Sequence, residues 1–213
     1  MAITYVNASS AAGTSLTLPT HQAGDLILAS AFTTGGSTPT LPTGWSPIRT
    51  NSTSGRRSLV AWRTAQDAST AFGTWTNSTV VATSVYRSNA GKLILPSTVN
   101  WLQAGAATVI TYSAHASGNR YDLDTWVVGF CGLSIDGAGE TPPTGMTNRT
   151  HTFSTNEIAI HDTNGLSTWG STVTVATTSA NLFGLTLAIY ESEIPIPSSG
   201  GGVPLIGPGG LVY

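Results

Sequence analysis

The chain has 213 residues, 40% of them hydrophobic and only 8% charged, with a net charge of −2 and a single lysine, Lys92. That balance excludes the low-hydropathy, high-charge composition of disordered chains, and with a typical domain carrying about 25% charged residues it leaves the polar surface to Ser, Thr, Asn and Gly. The few arginines are scattered, which excludes the basic face that a nucleic-acid partner needs, and no run approaches the ~20 apolar residues of a membrane-spanning helix.

Short β-branched and aromatic runs separated by Gly, Pro, Asn and Ser predict an all-β chain. In the first half the expected strands are 3–7, 15–18, 25–33, 46–50, 58–64, 72–76 and 80–87. In the second they are 99–102, 108–112, 125–134, 147–153, 157–161, 172–177 and 182–190. No window carries an amphipathic helix; 104–107 and 176–180 are too short or too rich in Thr, which loses side-chain freedom in a helix.

The two halves repeat. Thr14–His21 reads against Thr108–His115, Leu26-Ile27-Leu28 against Trp126-Val127-Val128, and Pro42-Thr43-Gly44-Trp45 against Pro143-Thr144-Gly145-Met146. Arg49-Thr50 then falls on Arg149-Thr150, 59–62 on 157–160, and 83–88 on 187–192. The slowly growing offset is that of a β unit of roughly 95 residues whose loops lengthen while its strands do not. Turn signals at about 8–12-residue spacing predict antiparallel β-sandwich architecture, jelly-roll or Ig-like. Two arrangements fit: each half closes its own sandwich, or the halves are two pseudo-symmetric sheets of one larger body. Enough apolar strands per half to cover two faces favours tandem sandwiches at 1–95 and 96–192, joined near 92–96.

Residues 193–213 form an extended Pro/Gly-rich tail that ends apolar. Such a segment packs no core of its own, so it is expected to dock onto a neighbouring subunit or a different protein through Leu205, Ile206, Leu211, Val212 and Tyr213.

Candidate chemistry is sparse. Cys131 lies in an apolar run and reads as a small buried hydrophobe. His161-Asp162-Thr163-Asn164-Gly165 has part of the spacing of a calcium loop but lacks the following acidic ligands, so it reads as a turn, and no metal or other cofactor is expected. Asp25 and Asp124 stand before equivalent strands, and His21 and His115 recur at matching places; both pairs follow from repeated architecture rather than from a facing carboxylate pair across a cleft. No nucleophile elbow, zinc helix or phosphate loop occurs, so no catalytic residue is assigned and an enzyme is not expected. Of six tryptophans, Trp62 and Trp126 sit in apolar strands, while Trp45 and Trp169 follow polar turns and are the candidates for a glycan-stacking platform.

Gly24-Asp25-Leu26-Ile27-Leu28-Ala29, Pro42-Thr43-Gly44-Trp45, Ala61-Trp62-Arg63 and Val85-Tyr86-Arg87-Ser88, with Trp126–Phe130, 143–150 and 161–164 in the second half, resemble a pattern of β-sandwich units in bacteriophage structural proteins and related surface proteins. The resemblance spans about residues 10–192 and leaves the tail outside it. It implies a virion component without catalytic residues, decorating the capsid or belonging to the tail or its fibres. Other capsid or tail subunits and copies of itself are then the expected partners. The alternative is a carbohydrate-binding adhesin or receptor-binding module that takes a host surface glycan.

Overall fold

The computed structural model describes residues 3–112, 125–134, 141–165 and 173–196. Ten strands form within them: β1 (Ile3–Ala12), β2 (Leu26–Thr33), β3 (Ser46–Asn51), β4 (Arg57–Thr64), β5 (Val80–Ser88), β6 (Lys92–Tyr112), β7 (Trp126–Leu133), β8 (Thr147–Phe153), β9 (Glu157–Asp162) and β10 (Val173–Pro195). β2 and β7 are buried at every position, as continuous apolar runs covered on both faces should be. β3 and β8 are polar and more exposed and lie at sheet edges, where Pro47 costs no ladder bond.

The strands make two five-stranded antiparallel sheets of the same topology, β1-β5-β2-β4-β3 and β6-β10-β7-β9-β8. The sequence repeat is thus a repeat of sheets. Each half completes one sheet before the chain turns at Asn89–Gly91 into the other, whereas jelly-roll and Ig-like connectivities pass strands between sheets. The two are stacked in reverse order. β1 lies across β8, with Thr150 donating to Ser10 at 2.8 Å, and the β3–β4 turn at Gly55 approaches Asn181 of β10.

One core joins them. Leu26, Leu28, Phe32, Val60 and Tyr86 of the first sheet cluster with Val128, Phe130, Ile160, Phe183 and Leu187 of the second. This corrects the expectation of tandem sandwiches at 1–95 and 96–192. A single sheet has one face to hide and nothing of its own to hide it with, so each repeat serves as the other's cover.

The outer faces are closed differently, which accounts for the expected strands that do not form. Segments 15–18 and 72–76 are irregular. They hold one another through Trp75 N–H to Thr14 O and Ser15 Oγ to Gly73 O, and lay Leu16, Leu18, Phe72 and Trp75 on the outside of the first sheet. On the second sheet the expected pairs 99–102/108–112 and 172–177/182–190 merge into the long β6 and β10. Register shifts between Ala176 and Leu182 bend their ribbon, so that Ile110 and Tyr112 join Val127, Cys131 and Met146 on the outer face. Close approach needs glycine here: a Cβ at Gly129 would lie 2.6 Å from Tyr112 Cε2, and one at Gly184 would lie 2.5 Å from Ile110 Cγ2.

Gly132 does the same inside, where a Cβ would meet Phe183 and lie 2.7 Å from Phe32 Cγ of the opposite sheet. Gly132→Ala therefore overpacks the shared core and should cost about 1–3 kcal/mol. Urea unfolding followed by tryptophan fluorescence and far-ultraviolet circular dichroism should show the lower midpoint in one coincident transition. Two separated transitions would mean that the sheets unfold independently.

Candidate functional site

The two Pro-Thr-Gly turns superimpose the repeats. In each, a glycine at positive φ (Gly44, 86°; Gly145, 88°) lets the next amide bond back to the proline carbonyl, Trp45 to Pro42 and Met146 to Pro143. From there the registers run in parallel. Ser46 pairs with Trp62 and Thr147 with Asp162; Pro47 pairs with Ala61 and Asn148 with His161. A bulge then interrupts both ladders, leaving Ile48 extra in β3 and Arg149 extra in β8. The structural counterpart of Arg149 is therefore Ile48, one residue from the Arg49 that direct sequence matching pairs with it. β9 likewise aligns two residues away from the expected 59–62/157–160 match, and Tyr86 corresponds to Ile189 rather than Tyr190, since Leu26 pairs with Tyr86 and Trp126 with Ile189.

In the second sheet this place holds an ion pair. Arg149 Nε and Nη2 donate to Asp162 Oδ2 and Oδ1 at 2.7 and 2.8 Å, and Nη2 also donates to Asn164 Oδ1 at 2.9 Å. Asp162 is fully buried and accepts two further bonds, from the Asn164 amide at 2.9 Å and from the Tyr86 hydroxyl of the first sheet at 3.0 Å. The guanidinium lies 4.0 Å from the Tyr5 ring centroid, and Trp126 meets Tyr86 edge-on at 5.8 Å.

Burial and the Asp162 charge push the Tyr86 hydroxyl well above its usual pKa. Burial, partly offset by Arg149, raises that of Tyr5. For Arg149 burial acts to lower the pKa, but the hydrogen bond and charge of Asp162 prevail and raise it. Both phenols stay neutral donors and the guanidinium stays charged at neutral pH. Tyr5 and Arg149 border an open cleft of about 260 Å³, lined also by Ile3, Thr4, Trp126 and Asn164.

Next to this group, on the other face of β9, His161 is buried and bonded through Nδ1 to the Tyr112 hydroxyl at 3.0 Å. Burial lowers its pKa to about 4 against the pull of Asp162, with His151 adding repulsion.

The 161–165 motif thus spends its Asp and Asn on Arg149, and Asn164 and Gly165 take the positive φ of a turn (50° and 98°). Among the described residues no three His, Cys, Asp or Glu side chains converge as a metal site. Trp45 is no platform: it is 6% exposed, its indole N–H donates to Phe72 O at 3.0 Å, and Phe72, Trp75 and Arg63 surround its ring. The turn before it aims the side chain onto the outer face of the sheet. Cys131 is buried, and Asp25 is held by Arg87 in a bidentate pair at 2.7 and 2.8 Å. Trp169, Leu205, Ile206, Leu211, Val212, Tyr213, His115 and Asp124 lie outside the described residues. Tyr5, Tyr86, Arg149 and Asp162 carry no local motif; counting forward from the Pro-Thr-Gly turns through the bulge is the one sequence signal that sets Arg149 against Ile48.

Comparison with protein-family models, with characterised proteins and with solved structures finds no match to this chain.

Two outcomes follow from the ion pair and its neighbour. Asp162→Asn strands a buried guanidinium and should cost about 3–5 kcal/mol, whereas Arg149→Met with Asp162→Leu should cost much less, because the sister position is already apolar. Urea midpoints of the three chains test this. For His161 the unfolded chain binds a proton below pH 6.5 while the folded chain does not until about pH 4. Its contribution is therefore intact above pH 6.5 and is lost at up to about 1.4 kcal/mol per pH unit as the pH falls through that window. His161→Asn should flatten that part of the stability–pH curve relative to the parent.

Proposed function

We propose that this chain is a non-enzymatic structural protein of a bacteriophage virion, decorating or cementing the capsid or forming part of the tail or its fibres. The observation that carries the reading is how charge is used. Each carboxylate buried among the described residues is committed to a cation or an imidazole in the framework, Asp25 to Arg87, Asp162 to Arg149 and Glu157 to His151. Carboxylates spent this way fasten strands and sheets together and are not poised for proton transfer. The chain is correspondingly rich in Ser and Thr and poor in charge, which suits subunits packed side by side in many copies without mutual repulsion. The sequence resemblance to phage β-sandwich units points the same way.

The tail at 193–213 is the proposed anchor. It leaves from a defined place: Ile196 N–H donates to Gly91 O at 2.8 Å, and the Ile196 side chain packs against Gly24, where a Cβ would lie 2.9 Å from Ile196 Cγ2. Ile196 therefore stands at the joint where one sheet passes into the other, and the proposed contacts with neighbouring subunits are those of Leu205, Ile206, Leu211, Val212 and Tyr213. Light scattering of the full chain and of a chain ending at Ile196 tests this. A multimer only for the full chain is the expected result; equal masses for both would remove the tail as the assembly element.

A further inference from the structure

We propose that the cleft bordered by Tyr5, Trp126, Arg149 and Asn164 is a binding site for a sugar that carries a carboxylate, such as a uronic acid. The proposal rests on the cleft alone and is independent of the assembly reading.

The fold supplies its own control. Because the sheets share one topology and stack in reverse, the site built from β1, β5, β7, β8 and β9 has a sister built from β6, β10, β2, β3 and β4. Register assigns the counterparts: Tyr5 to Pro96, Tyr86 to Ile189, Trp126 to Leu26, Arg149 to Ile48 and Asp162 to Trp62. Ile189 and Leu26 are core residues, and Ile48 and Trp62 pack against the same core. The same backbone is thus closed by apolar side chains at one end and by a polar cluster at the other.

The polar version is arranged to donate. The acceptors are already used: both Asp162 oxygens by Arg149, Tyr86 and Asn164 N–H, Asn164 Oδ1 by Arg149, and Thr4 Oγ1 by Asn89 at 2.6 Å. What remains is Arg149 Nη1, which has no protein partner among the described residues, the amide Nδ2 of exposed Asn164, and the Tyr5 hydroxyl. To these is added the indole N–H of Trp126, buried and without a hydrogen-bond partner among the described residues. The Trp75 indole N–H and several other buried side-chain atoms share that state among the described residues, but of these residues Trp126 alone lines this cleft.

A ligand for such a cleft must bring acceptors. A carboxylate on the open edge of a guanidinium that Asp162 already holds rigid makes charge-assisted bonds, the strongest kind available there. Ile3, Tyr5 and Trp126 add apolar and aromatic lining beside these donors, which suits the ring oxygens and apolar C–H face of one sugar unit. At about 260 Å³ the cleft lies just below the ~300 Å³ lower bound of drug-sized pockets and suits a single residue of a chain.

The test is a titration of the full-length protein with glucuronate, glucose and acetate, following the Trp126 indole and Arg149 Nε–H signals in proton–nitrogen correlation spectra. Glucuronate should shift both signals saturably in the millimolar range, with glucose and acetate at least about tenfold weaker. Tyr5→Phe, which leaves the ion pair and the core intact, should weaken glucuronate several-fold, and Arg149→Lys, followed by the Trp126 indole signal alone, should abolish the response. No saturable shift would overturn the proposal. So would an acetate response equal to that of glucuronate, since a bare carboxylate site does not read a sugar, and so would an unchanged response in Tyr5→Phe. None of these outcomes bears on the light-scattering result.

Discussion

Everything in this molecule depends on one face. A five-stranded antiparallel sheet with Leu26, Leu28, Phe32, Val60 and Tyr86 on one side cannot keep that side in water, and within its own repeat no second layer forms over it. The second repeat presents the same problem with Val128, Phe130, Ile160, Phe183 and Leu187. Pressing the two together solves both, and the common strand order gives the two faces matching width. Glycine at 132 then allows Phe32 and Phe183 to meet in the middle, with centroids 5.6 Å apart. Once the inner faces are spent on each other, the outer faces are left to whatever each repeat can spare, loops on one side and the bent β6–β10 ribbon on the other.

The extent to which this was legible in the sequence follows from what periodicity reports. The expected 25–33 and Leu26–Thr33, or 147–153 and Thr147–Phe153, agree because apolar runs and turn residues mark strand ends locally. Pro42-Thr43-Gly44 and Pro143-Thr144-Gly145 were legible for the same reason, since only glycine takes their last position without strain. Segments 15–18 and 72–76 look like strands because Leu16, Leu18, Phe72 and Trp75 are spaced to bury one side, and they do bury it; the pattern records burial, not a ladder. Whether a strand is covered by its own repeat or by the other is a tertiary fact that no local window contains, so the count of apolar strands per half points to two sandwiches where one core joins both sheets.

The site was hidden by a smaller effect. In a strand a shift of one residue exchanges the two faces. Matching Arg149 to Arg49 looks natural from letters alone, yet the shared bulge sets it against Ile48, and that single step turns an ordinary surface arginine into the partner of a fully buried aspartate. Trp45 reads as exposed for a related reason: a polar turn precedes it, but the turn lays the ring on the outer face of the sheet, where Phe72 and Trp75 cover it.

What the buried pair achieves can be divided. Removing two charges from water costs more than apolar side chains of similar volume would, and the sister position shows that Ile48 and Trp62 serve the fold there. Part of the return is structural, because Asp162 reaches across to Tyr86 and so pins one sheet to the other at a fixed register. Two sheets of equal topology could otherwise slide or pair with copies of themselves, and a buried polar contact with one partner, beside the Thr150–Ser10 bond, discourages both. That accounts for Asp162 and Tyr86. It leaves Arg149 Nη1 and the Trp126 N–H unexplained, because neither contributes to the joint, and leucine stands in the place of Trp126 at the other end of the molecule. Groups that a fold holds rigidly but does not itself use are the ones most open to a ligand, and here the two residues that carry them, Arg149 and Trp126, line one cleft.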